Sequence, residues 1–121
     1  MAAERFDVVV IGSGPGGYVS AIRGAQLGMK VAVVEADRPG GVCLNWGCIP
    51  SKALLTGAEL VETLRHRGGT FGVKAGKLEL DYGKVIDHSR ACADRLAKGV
   101  AGLLKKNRIE TGPGRGRLVG K

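Results

Sequence analysis

The sequence is short of aromatic residues, cysteine, histidine, acidic residues and long apolar runs. Its longest apolar stretches are far too short to span a bilayer, so no membrane segment is expected. With three cysteines and two histidines, and no pair of them at finger spacing, the four ligands of a structural zinc site are not available, and no metal site is expected. Three cysteines without a secretory leader argue against a disulfide-stapled extracellular module and for a reducing compartment. Met1 to Arg5 shows neither an apolar leader nor an Arg/Ser-rich transit segment. The expected location is therefore cytoplasmic, or an organelle matrix if a presequence has been removed. The shortage of acid leaves 19 Lys and Arg against 11 Asp and Glu, a net charge of +8. Such a balance could suit an anionic partner. Five aromatic residues are few, however, and the basic residues are scattered, with short clusters at 65–67, 105–106 and 115–117. A solvated basic surface is the expectation, and nucleic acid is not an expected partner. A nucleotide cofactor or an acidic protein could still exploit that surface.

What is plentiful is glycine, 21 of 121 residues, against a usual share of about 7%. Most of these glycines fall at turns, helix ends and one compact motif, which argues for order. The length allows one domain with a modest core.

The motif lies near the start. Phe6 to Ile11 is a β-branched run suited to a strand buried on both faces. It runs into Gly12-Ser13-Gly14-Pro15-Gly16-Gly17, which satisfies G-x-G-x-x-G. A helix follows, with Ala21, Ile22, Ala25 and Val19 on its buried face and Gly28 as its stop. Met29 to Val34 reads as a second strand, closed by Glu35 and Ala36. A glycine hexapeptide alone is weak evidence. Strand, glycines, helix, strand and terminal acid within about 30 residues form the full dinucleotide-binding context. In it Gly12 makes the turn, Gly14 admits a pyrophosphate and Gly17 lets helix and strand approach. The helix N-terminus offers its unpaired N–H groups to the phosphates. Glu35 accepts hydrogen bonds from a ribose and would repel a 2′-phosphate. These features do not choose between NAD and FAD.

Residues 40–52, GGVCLNWGCIPSK, hold the most informative chemistry. Cys43 and Cys48 stand five positions apart. On a regular helix their Cα atoms would be about 8.7 Å apart, too far for a disulfide. If the sulfurs pair, the segment is not an ordinary helix. Gly47 supplies backbone freedom, and Pro50 would clash with the Trp46 carbonyl if helix were already running there. The pattern predicts a bent lead-in and a helix starting near Cys48, at whose positive end a thiolate is favoured. Lys52 adds a second positive charge on the same helical face. Residue types and spacing together suit a redox dithiol.

These residues resemble the active-site disulfide of the flavin-dependent disulfide reductases, the class I pyridine nucleotide-disulfide oxidoreductases. CLNWGCIPSKALL is most similar to the dihydrolipoamide dehydrogenase branch. Glutathione and mercuric reductases share the C-x4-C core but usually carry Val after the first cysteine. The resemblance implies an α/β fold: a Rossmann-like doubly wound parallel sheet that binds FAD, here incomplete. Residues 1–121 would be the N-terminal portion of that domain, without the NAD-binding and dimer-interface domains. Cys43 and Cys48 would be catalytic, Cys43 as the interchange sulfur and Cys48 as the flavin-proximal one. The FAD site would comprise Gly12, Ser13, Gly14, Pro15, Gly16, Gly17, Glu35, Ala36, Gly41, Val42, Cys43, Cys48, Lys52 and Gly116. The implied reaction carries electrons from a dihydrolipoyl dithiol through Cys43 and Cys48 to FAD and then NAD. A lipoyl domain of a 2-oxoacid dehydrogenase complex or a glycine cleavage system would be the partner, and the full-length form a homodimer. A second fingerprint and the C-terminal His–Glu base of the family are not in the sequence, so these residues alone are expected to be inactive. A mercuric or glutathione type reductase, or a silent flavin-binding fragment, are the alternatives.

Beyond Lys52 a helix is expected to carry Leu54, Ala58, Val61 and Leu64 on one stripe and to end at Gly68-Gly69. Thr70 to Leu80 reads as loop, with Thr70–Val73 able to form a short strand. Asp81 can cap a helix from about Tyr82 to Lys106. Its expected stripe is Val85, Cys92, Leu96, Val100 and Leu103, with Cys92 in the core. His66 and His88 are expected on helix surfaces, and Trp46 to shield the cysteines. Arg108–Thr111 reads as a third strand cut short by Pro113. The closing GRGRLVGK resembles the family's start of an antiparallel meander.

Overall fold

The computed structural model describes residues 4–120; Met1–Ala3 of the expected leaderless start, and Lys121, lie outside the described residues. In chain order they form β1 (Val8–Ile11), α1 (Pro15–Gln26), β2 (Val31–Glu35), a short α2 (Gly41–Asn45), α3 (Cys48–Glu62), α4 (Tyr82–Lys106) and β3 (Glu110–Pro113). The three strands pair in parallel in the order β1-β2-β3. Val8 stands opposite Val31, and Ala32 opposite Glu110.

The sheet packs against helices on one face. Val8, Val10, Val31 and Val33 alternate onto the side where Ala21, Ile22 and Ala25 of α1 meet Val100 and Leu104 of α4. Val33 and Leu104 are essentially fully buried, each worth roughly 1.5–3 kcal/mol of apolar transfer. Val9 and Ile11, pointing the other way, are 54% and 55% exposed. The expectation of a first strand buried on both faces is thus corrected. Composition reports how apolar a strand is, not which neighbours are present to cover it.

Helix boundaries follow local chemistry. Pro15 opens α1, where its missing N–H costs nothing. At the other end Met29 N donates to Gly24 O, and Gly28 N to Ala25 O, closing the last turn as expected of Gly28. Val19, expected inside, is 55% exposed. The Asp81 carboxylate caps α4 by accepting from Lys84 N at 3.2 Å.

The buried stripe of α4 is rotated from the expected one. Ser89, Ala93, Ala97, Val100 and Leu104 face inward, while Leu96 and Leu103 are exposed and Cys92 is half-buried outside the core. Small residues line the inner face because α4 packs against both α2 and α3. A reading weighted toward large apolar residues therefore chose the wrong side. Of the expected stripe along α3 and the turn after it, Leu54, Val61 and Leu64 are half-buried, but Ala58 is exposed. This helix ends at Glu62, ahead of the expected Gly68-Gly69, and continues as a π-turn over Thr63–Arg67 and a 3-10 turn over Gly68–Phe71. Thr70–Val73 is not a strand: Val73 N folds back to Gly68 O at 2.9 Å.

The third strand begins two residues later than expected and includes Pro113. Arg108 is diverted into the end of α4, with a φ of 56°. Arg108 N donates to Lys105 O and Ile109 N to Leu104 O, the same closing pattern as after α1 with arginine in glycine's place. Residues 114–120 form no strand, so among the described residues there is no antiparallel meander.

Candidate dithiol and dinucleotide site

The glycine loop sits where β1 ends and α1 begins, and its glycines serve different ends. A Cβ on Gly17 would lie 1.9 Å from Gly12 O and 3.0 Å from Gly12 C, so the helix reaches the strand only because residue 17 has no side chain. Gly12 itself turns at φ 93°. Gly14 is different. Its backbone is extended (φ −62°, ψ −179°), open to any residue, and a Cβ there would meet nothing within 4 Å. The protein's own packing does not demand a glycine at 14. Open space at that point is what a closely approaching ligand needs.

Glu35 closes β2 and is tied to the same loop. Its carboxylate accepts from Ser13 N at 2.7 Å and Ser13 Oγ at 2.6 Å, and from Asp37 N at 3.0 Å. Partial burial acts to raise its pKa. The hydroxyl and amide of Ser13 and the amides of Asp37 and Ala36 outweigh that, and the carboxyl is held below its ordinary value. Ser13 is buried and directs both donors at Glu35. A crevice of about 270 Å3 brings Gly12, Glu35 and Ala36 together with Gly116. Gly116 lies so close over Ile11 that a Cβ would come within 2.9 Å of its side chain. A larger cleft of about 570 Å3 between α4 and β3 shares Ser13 and Glu35 but reaches none of the cysteines.

The dithiol loop is joined directly to this turn. Gly40 N donates to Ser13 O at 3.1 Å and reaches Ser13 Oγ at 3.2 Å. A Cβ on Gly41 would lie 2.8 Å from Gly14 Cα. Two residues later Cys43 forms a disulfide with Cys48, across a Cα–Cα distance of 4.7 Å. Cys43 is the middle residue of α2, a bent lead-in of one helical turn, and Cys48 is the first residue of α3, as the spacing predicted. Lys52 follows one turn along α3 and is exposed. Cys43 packs partly against the core, and Cys48 is the more exposed residue of the pair. Val42 is 70% exposed, and Trp46, expected to shield the pair by packing, is 49% exposed. Pro15 and Gly16 are exposed on the first turn of α1.

Cys92 is not part of the pair; its sulfur lies 3.6 Å from His88 Nε2. His66 is exposed beside Glu62. Among the described residues no group of three or more His, Cys, Asp or Glu is placed to hold a metal, and no helix is long and apolar enough to cross a membrane.

Residues 6–121 match the family model described as pyridine nucleotide-disulphide oxidoreductase. The chain belongs to that family. Within the pyridine nucleotide-disulphide oxidoreductases it is 50% identical over 118 residues to a dihydrolipoyl dehydrogenase of Zymomonas mobilis, covering 98% of this chain and 25% of that protein. It is 54% identical over 106 residues to the Corynebacterium glutamicum dihydrolipoyl dehydrogenase, covering 88% and 22%. To the mitochondrial dihydrolipoyl dehydrogenase of Dictyostelium discoideum it is 47% identical over 120 residues, covering 98% and 25%. The chain thus spans about a quarter of the length of these relatives, their N-terminal part, and its Cys43–Cys48 pair is like a redox-active disulfide.

Three site residues escaped the reading of the sequence: Asn45, Ser89 and Arg90. Asn45 and Ser89 are both fully buried. The available signals were a polar amide between the two cysteines and a serine at helical spacing from Ala93 and Ala97.

Proposed function

We propose that these residues are the dithiol-bearing, cofactor-binding quarter of a dihydrolipoyl dehydrogenase, with FAD as bound cofactor and NAD as final acceptor. The carrying observation is the attachment of the Cys43–Cys48 disulfide to the glycine turn through Gly41 and Gly14. Gly12 through Gly17 would hold the pyrophosphate, Glu35, Ala36 and Gly116 the adenosine, and Gly41, Val42, Cys43, Cys48 and Lys52 the ring end. The unfilled space at Gly14 fits such a group. When bound, FAD supplies the two-electron acceptor between the dithiol and NAD.

The protein's own part is thiol–disulfide exchange. A substrate thiolate attacks Cys43 Sγ, the Cys43–Cys48 bond breaks, and Cys48 leaves as a thiolate. The second substrate thiol attacks the substrate sulfur of the mixed disulfide and releases Cys43, so two electrons move to the pair as the substrate closes its own disulfide, that thiol's proton passes to Cys43, and Cys48 remains a thiolate. Exposure alone would favour attack at Cys48. The leaving sulfur, however, should be the one whose thiolate is better stabilised, and Cys48 has both the positive end of α3 and Lys52. The dithiol donor would be a lipoyl domain of a 2-oxoacid dehydrogenase complex or of a glycine cleavage system. A homodimeric full-length enzyme, working in cytoplasm or mitochondrial matrix, suits this reading.

Single-cysteine variants test the roles. In Cys43→Ser, Cys48 should alkylate with a pKa below the ordinary thiol value of about 8.5. In Cys48→Ser, Cys43 should not. The reverse order would overturn the assignment. With dihydrolipoamide and NAD, the 121 residues by themselves should form no NADH, because the only glycine fingerprint is committed to FAD. Turnover would contradict that.

A further inference from the structure

Helix α4 grips the dithiol loop on both sides of Cys48. The Asn45 carbonyl, two residues past Cys43, accepts from Arg90 Nη1 at 3.2 Å. The Pro50 carbonyl, two residues past Cys48, accepts from Ser89 Oγ at 3.2 Å, and this contact is buried. The two donors are adjacent in sequence, and Ser89 opens the small inner face, with Ala93 and Ala97, that lets α4 approach α2 and α3. Asn45 extends the grip. Its side-chain amide donates to Pro39 O at 3.1 Å and to Gly41 O at 2.9 Å. Its Oδ1 is buried without a partner. A buried acceptor without a partner is unfavourable, and an apolar residue filling the same space would carry none. The result is one continuous hydrogen-bonded path. It runs from α4 through the backbone between the cysteines to Gly41, which rests on Gly14 of the glycine turn.

None of these bonds involves a sulfur atom, so none need break when the disulfide opens. We propose that Ser89 and Arg90 are positioning residues for the dithiol, holding the loop in one conformation in both redox states. The proposal rests on the reading that Cys43 and Cys48 cycle. Fixing the thiols near each other raises the effective concentration of one at the other, which favours the disulfide over the open dithiol. Loosening the grip gives the reduced loop conformations it otherwise lacks. The pair then becomes easier to reduce.

The equilibrium to measure is disulfide plus two glutathione thiols against the Cys43/Cys48 dithiol plus one glutathione disulfide. Both sides balance in electrons and protons. The 121-residue chain, with Cys92→Ser in the background, is equilibrated in glutathione buffers, quenched by alkylation and weighed by mass spectrometry. Arg90→Met and Ser89→Ala should each shift the equilibrium about tenfold toward the dithiol, roughly 30 mV for a two-electron couple. Arg90→Lys keeps the charge without the fork and should recover part of the shift. Val33→Ala, in the core beneath the sheet, should lower overall stability while leaving the equilibrium constant where it was. Should Arg90→Met fail to fold, Arg90→Lys and Ser89→Ala still decide the matter. Equal constants in wild type and variants would overturn the positioning role while leaving the redox pair intact. Failure of the wild-type chain to form Cys43–Cys48 at all would overturn both.

Discussion

Replacing Gly17 by alanine tests most sharply how the glycine turn is built. The added Cβ would sit 1.9 Å from Gly12 O, where real contacts stay beyond 3.0 Å, so about 1.1 Å must be opened. Both near atoms of Gly12 are backbone and cannot swing aside as a flexible side chain could. Either α1 moves off β1, or the peptide joining Gly12 to Ser13 rotates and disturbs the bond that Ser13 N donates to Glu35. Overpacking of this kind costs about 1–3 kcal/mol, and an immovable neighbour argues for the upper end. Alanine returns about 1 kcal/mol of helix propensity. The expected net loss is about 2 kcal/mol. With a urea m value of about 1.5 kcal/mol/M, the midpoint should fall by about 1.3 M. Gly16→Ala is the control one residue away. Its Cβ meets nothing within 4 Å, so it should stabilise by about 0.5–1 kcal/mol. Urea unfolding followed by circular dichroism reads both. Equal midpoints for the two variants would refute the claim that close approach explains Gly17.

Glu35 should make stability depend on acid. Its folded pKa lies below the ordinary 4.5, so its contribution is complete above that pH and disappears as pH falls through the folded value. Thermal unfolding of Glu35→Gln should therefore show a flatter loss below pH 4.5 than wild type; parallel curves would count against the Ser13–Glu35 brace. Arg108→Gly should raise stability by about 1 kcal/mol in denaturant titrations, because it relieves the left-handed conformation at the end of α4. Asn45→Asp sets a carboxylate oxygen where the amide now donates to two carbonyls. Calorimetry should show a loss of about 3 kcal/mol or more at pH 7, and a loss under 1 kcal/mol would mean that the amide bonds are dispensable.

The legible parts of the sequence were those where one local rule sufficed. β1, the glycine turn, α1 and β2 follow from a β-branched run, a glycine spacing and a closing Gly28. The break between α2 and α3 followed from the reach of a disulfide and the clash of Pro50. Reading failed where tertiary contacts override the local signal. The inner face of α4 is made of Ser89, Ala93 and Ala97, residues of low hydrophobic weight chosen by close helix packing. Arg108 adopts a turn that glycine usually marks, so the start of β3 was misjudged. Val9 reads as core, yet more than half of it is exposed to solvent. The α4 grip on the dithiol was invisible because its two bonds join residues far apart in the chain, Ser89 to Pro50 across 39 residues and Arg90 to Asn45 across 45. The cysteine pair was recognisable from its neighbours. Its junction with the glycine turn, through Gly41 on Gly14, needed coordinates.

The most direct test of the account is cysteine mapping before and after exposure to dihydrolipoamide. The chain is oxidised, then alkylated under non-reducing conditions, digested and analysed by mass spectrometry. Cys43 and Cys48 should appear as one bridged species, with Cys92 alkylated from the outset. After dihydrolipoamide, both Cys43 and Cys48 should carry the label. A principal bridge that includes Cys92, or a Cys43–Cys48 bridge that dihydrolipoamide leaves intact, would contradict the account.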